Sequence, residues 1–178
     1  MERIKMIYYS VIENKVEDLK GLLENGSEDV GLIKPYGQGL LLHASIKGHY
    51  NMAGYLIEKG CKVNEKDTKG YTPLHAASYY HFENIVDLLI RSGAWIDSED
   101  NFGNTALMES VFTFKSNLSV IRLLLENGAD PFHKNNTGIS PFSLAQESKK
   151  YEVVESINSL GSSRGHNQQD YNNEQADL

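Results

Sequence analysis

The chain has 178 residues, 40% of them hydrophobic, with 17 basic and 24 acidic side chains and a formal charge of −7. That balance argues against a nucleic-acid partner, whose binding rests on neutralising phosphates with Lys and Arg. It suits one globular domain with a mild preference for basic protein surfaces. No apolar run approaches the ~20 residues of a membrane span, and the opening Met1–Ser10 stretch carries Glu2 too close to its short apolar run to be a secretory signal. A single cysteine, Cys61, excludes an intramolecular disulfide and fits a reducing, cytoplasmic setting.

Ile4, Ile7, Tyr8 and Val11 have helical spacing and are expected to form the inner face of a capping helix. Leu19, Leu22 and Leu23 mark a second helix closed by Gly26. Ser27 to Gln38, with Gly31, Pro35 and Gly37, reads as an extended loop into the next unit. From there a pattern repeats. Its opening glycines are Gly37, Gly70, Gly103 and Gly138, spaced 33, 33 and 35 residues apart, and its closing glycines are Gly26, Gly60, Gly93, Gly128 and Gly161. The clearest copy runs Gly70-Tyr71-Thr72-Pro73-Leu74-His75-Ala76-Ala77. Thr72 can N-cap a helix that has Pro73 at its first position, where the missing N–H costs nothing. After a turn near His81 and Phe82, Ile85, Val86, Leu88 and Leu89 form the apolar stripe of a second helix, which Gly93 ends. Weaker copies place Gly39-Leu40-Leu41-Leu42, Thr105-Ala106-Leu107-Met108 and Ser140-Pro141-Phe142-Ser143 at the motif. Cys61 falls where Ala94 and Ala129 fall, so it is expected to be a small packed residue. Phe114 to Asn117 contains the two residues that lengthen the fourth unit, and they are expected in the turn between its helices.

Thr72-Pro73-Leu74-His75, followed by Leu88, Leu89, Ile90, Gly93 and Ala94, resembles the ankyrin-repeat family, and the likeness extends over residues 1 to about 161. The resemblance implies an all-α ankyrin-repeat solenoid of five helix-turn-helix units with hairpin-like connections. The units are a cap at 1–33, then 34–66, 67–99, 100–134 and a second cap at 135–161, while the polar stretch 162–178 is expected to be disordered. It also implies that His75 is structural and that hairpin tips and first helices share a concave binding surface. Thr68, Lys69, Tyr71, Tyr79 and Tyr80 then face a partner from the third unit; Asn101, Phe102, Asn104, Phe112 and Thr113 from the fourth; and Lys34, Tyr36, Gln38, Ile46 and Lys47 from the second. Trp95 is expected to be exposed in its hairpin.

Exposed aromatics are the residue types that dominate protein interfaces. Beside them Asp97, Glu99, Asp100 and Glu109 make an acidic group suited to a basic partner. Catalysis, a metal and a cofactor are not expected. His43 and His49, like His75 and His81, are six residues apart and so fall on different helical faces. The functional expectation is a monomeric protein-binding module acting as an inhibitor, such as an immunity protein neutralising a basic toxin. The alternatives are an effector or viral protein recruiting a host factor, and self-assembly through the concave face or a cap.

Overall fold

The computed structural model describes residues 2–24, 26 and 29–161. The stretch 162–178, expected to be a tail, lies outside the described residues, as do Ser27 and Glu28 of the first loop. Five helical pairs follow one another: α1 (Glu2–Ile12) with α2 (Val16–Glu24), α3 (Leu40–Lys47) with α4 (Tyr50–Glu58), α5 (Pro73–Tyr79) with α6 (Glu83–Arg91), α7 (Ala106–Thr113) with α8 (Ser119–Glu126), and α9 (Pro141–Glu147) with α10 (Tyr151–Gly161). First helices stack in the row α1-α3-α5-α7-α9 and second helices in the row α2-α4-α6-α8-α10. One apolar core runs between the rows from Ile7 to Ile157, so each pair buries its stripe against its neighbours. No strand occurs among the described residues, and no helix there is long and apolar enough to cross a membrane.

Local chemistry sets the period. Thr72 caps α5 by accepting the His75 N–H (3.4 Å), and the His75 ring returns a bond to the Thr72 N–H (3.3 Å). The other ring nitrogen of His75 meets the Asn104 carbonyl (3.0 Å), so one histidine closes its own helix start and ties it to the next hairpin. Burial holds its pKa below the ordinary value, which keeps it neutral in this role. At the hairpin tips Asp67, Asp100 and Asn135 each accept two backbone N–H groups of the same turn. The tips also bond to one another: the Asn101 N–H donates to the Lys69 carbonyl (2.9 Å) and the Asn136 N–H to Phe102 (3.0 Å). Gly70 permits this stacking. Its φ is +78°, and a Cβ there would come within 2.9 Å of the Asn101 nitrogen.

Two expectations need correction. On α1 only Ile7 and Val11 of the helix-spaced set are fully buried; Ile4 is 46% exposed and Tyr8 only half-buried. The loop before the second pair is not simply extended, since 3₁₀ turns occupy Val30–Leu32 and Pro35–Gly37, with Val30 and Ile33 buried.

The turn between paired helices carries a left-handed residue in four pairs: Asn14, Gly48, His81 and Lys149. The fourth pair is different. There the chain from Phe114 to Leu118 joins α7 to α8 with no left-handed residue, and the two extra residues reside in this longer connection.

Candidate functional site

Tyr79 ends α5, Tyr80 follows it, and Phe112 and Thr113 end the neighbouring α7. The helix ends therefore bring three rings to the mouth of the lengthened turn. Tyr79, Tyr80, His81 and Phe112 line an open groove of about 660 Å³ whose far wall is the 113–117 segment. Phe112 is 64% exposed and Tyr80 48%, while Tyr79 is half-buried. The rings brace one another: Tyr79 and Tyr80 meet edge-on at 5.0 Å, and Tyr80 stacks on Phe82 at 5.9 Å.

The groove floor is a polar network. The Thr113 hydroxyl reaches the Tyr79 carbonyl (2.9 Å), and His81 Nε2 meets the Thr113 oxygen (3.0 Å). Burial lowers the His81 pKa, so the ring is neutral at pH 7. Lys150 Nζ donates to the Val111 (2.6 Å) and Phe112 (2.9 Å) carbonyls, occupying the last acceptors of α7. At the loop's other end Asn117 accepts the Ser119 N–H (2.9 Å). The inserted turn is thus tied at both ends while Lys115, Ser116 and Asn117 stay exposed. Preorganised rings over such a floor offer contact area at small ordering cost.

The other residues expected at the site are placed differently. Phe102, Trp95 and Tyr36 are well exposed on the hairpin side. Tyr36, at φ +56°, meets Tyr8 edge-on at 5.9 Å, and the Trp95 N–H is held by Asn64 (2.8 Å). Tyr71 is half-buried, its hydroxyl donating to Glu109 (3.3 Å) and its ring beside His75. Burial and the Glu109 charge push the Tyr71 phenol up, and burial pushes the Glu109 carboxyl up as well. The pair ties the hairpin ahead of α5 to α7 rather than standing free. Asn104 is likewise engaged, accepting from Asn135 (2.9 Å) through its side chain.

The acidic group is dispersed by the same kind of bonding. Asp100 is buried as a turn clamp, Asp97 accepts the Asp130 N–H (3.1 Å), and Glu99 is 3.2 Å from His133.

No group of three or more His, Cys, Asp or Glu among the described residues is placed to hold a metal. Cys61 is buried, and burial pushes its thiol up to about 12, which leaves it protonated and unreactive at neutral pH.

The sequence carries no signal for the Tyr8–Tyr9 contact at 5.8 Å, for the Lys150 bonds to the end of α7, or for the His81 bond to Thr113. The aromatic residues were visible as letters. Their juxtapositions depend on stacking between units and had no local signal.

Comparison with known proteins agrees with this architecture. A family model described as ankyrin repeats (3 copies) matches residues 7–100 and 83–167. The chain is 27% identical over 155 residues to an ankyrin-repeat protein of Rickettsia bellii, covering 83% of this chain and 60% of that one. It is 34% identical over 109 residues to an ankyrin-repeat protein of fowlpox virus, covering 60% and 31%. A 68-residue stretch is 41% identical to human transient receptor potential cation channel subfamily A member 1, covering 38% and 6%. The chain thus spans between 6% and 60% of the length of these relatives. With the period, the Thr-Pro-Leu-His capping geometry and the family match in agreement, the chain belongs to the ankyrin-repeat family.

Proposed function

We propose that this chain binds a folded protein through the groove between the ends of α5 and α7, with Phe102, Trp95 and Tyr36 as outlying contacts. One observation carries the reading: Tyr79, Tyr80 and Phe112 converge on the lengthened turn 113–117, a departure from the spacing of the neighbouring pairs. Ankyrin repeats are protein-interaction modules, and an insertion in a repeat falls on one face where it can select a partner. The net charge of −7 favours a partner with a basic surface. Covering that surface is an inhibitory act of the kind an immunity protein performs on a basic toxin.

The test begins by capturing the partner on the immobilised chain and then compares amide exchange with and without it. Protection is expected over residues 78–82 and 111–117. Protection confined to the outward surfaces of α4, α6 and α8 would remove the groove from the account. Ionic strength supplies a second check. Association is expected to slow roughly tenfold or more between low and physiological salt, as charge steering is screened. A salt-independent association rate would reject the basic partner and leave the groove untouched.

A further inference from the structure

The two walls of the groove differ in chemistry. One carries the rings of Tyr79, Tyr80 and Phe112; the other, the inserted turn, carries Lys115, Ser116 and Asn117, all three exposed. Hydrogen bonding decides what the second wall presents. Asn117 Oδ1 accepts both the N–H (2.9 Å) and the hydroxyl (2.7 Å) of Ser119, which leaves its amide NH₂ to donate elsewhere. Lys115 is an ammonium with donors and no acceptor, and it makes no ion pair among the described residues. None of the residues that line the groove is Asp or Glu.

Helix capping does not account for Lys115. A cation just past a helix end ordinarily serves the last carbonyls and the negative end of the dipole. At α7 that place is filled: Lys150 bonds the Val111 and Phe112 carbonyls, and the Phe114 N–H donates to Val111 as well (3.3 Å). By contrast Lys15, Lys20 and Lys34 lie against carboxylates of their own chain at 2.5, 2.7 and 2.7 Å. Lys150 brings a second charge of the same sign to the groove floor, close enough that, after burial, it helps to hold the His81 pKa low. The groove is therefore locally positive within a chain whose formal charge is −7.

We propose that an exposed loop of the partner protein enters the groove with a large apolar side chain next to an Asp or Glu. The apolar side chain lies against Tyr80 and Phe112, and the carboxylate accepts from Lys115 and the Asn117 NH₂. This rests on the groove being the partner's seat, and it specifies the contacting loop rather than the partner's whole surface. The net charge attracts a basic surface from a distance, whereas groups in contact lie well inside the screening length of ~8 Å, so the sign of the lining decides what is seated there. An ionised acceptor answers charged and neutral donors together and is favoured over a neutral amide. A Lys or Arg in the same place meets Lys115 as a like charge.

A display library of random linear peptides, panned on the immobilised full chain, tests this, with the Tyr79→Ala/Tyr80→Ala variant as the counter-surface that removes peptides bound elsewhere. The surviving peptides are expected to carry Asp or Glu beside a Phe, Tyr, Leu or Met. The tightest of them, synthesised and titrated by fluorescence anisotropy, is expected to bind roughly tenfold more weakly to Lys115→Glu, which removes an attraction and adds a repulsion, and within about threefold of native to Lys115→Arg. Because Lys115 is exposed, both variants are expected to unfold at the native temperature. Surviving peptides that are neutral or basic, or an affinity that Lys115→Glu leaves unchanged, would overturn the carboxylate and leave the groove standing. If the counter-surface removes every enriched peptide, or none is enriched, the groove is not a seat for such a loop and the inference falls with it.

Discussion

Leu89→Ala is expected to lower the unfolding free energy by about 2–5 kcal/mol, read from urea denaturation. Leu89 is wholly buried in α6, which packs on α4, α5 and α8. It belongs to a column that recurs through the stack as Leu56, Leu89, Leu124 and Ile157, each at 0 or 1% exposure. Truncation removes three carbons from the middle of that column. Helices on both sides hold the walls apart, so the cavity closes only partly and the cost lies above the simple transfer value. In a stack whose stability is a sum over adjoining pairs, damage to the third pair weakens two interfaces at once. A loss below ~1 kcal/mol would mean that Leu89 does not occupy the inter-row core and that the register is wrong.

The column was legible because each unit must solve the same burial problem with the same residue types. The capping box at Thr72 and His75 was readable for a related reason, being a local bond over three residues. Placement that depends on neighbours was not legible. An amphipathic α1 shows its apolar residues but not which of them a second pair will cover, so Ile4 and Tyr8 were grouped with Ile7 and Val11. Tyr71 and Glu109 are 38 residues apart, and nothing near either announces their bond. Asp100 belongs by sequence both to the acidic group and to a turn, and the structure resolves it as the turn clamp, accepting two N–H groups. The groove combines both cases. Its rings and its two extra residues were visible separately, while their meeting at adjacent helix ends follows from the stacking of α5 on α7.

The second large effect concerns recognition. Replacing Tyr79 and Tyr80 together by alanine is expected to weaken partner binding by more than ~2 kcal/mol, about thirtyfold or more in Kd. The two rings are braced at 5.0 Å and stand over a floor of intramolecular hydrogen bonds, so little ordering is lost when a partner covers them. Stability is expected to change little. Tyr80 is about half in solvent, and the hydrogen bond that holds Tyr79 runs from Thr113 to its backbone carbonyl, which alanine retains. Separating the two effects is the point of the experiment, because a ring that belongs to the core would move both.

The decisive measurement is a binding isotherm of the captured partner against the native chain and the Tyr79→Ala/Tyr80→Ala variant, with thermal unfolding of both chains recorded alongside. A Kd raised thirtyfold or more with nearly coincident unfolding curves is the predicted result. An unchanged Kd, or a loss of affinity matched by a collapse in stability, would contradict the assignment of these rings to partner recognition.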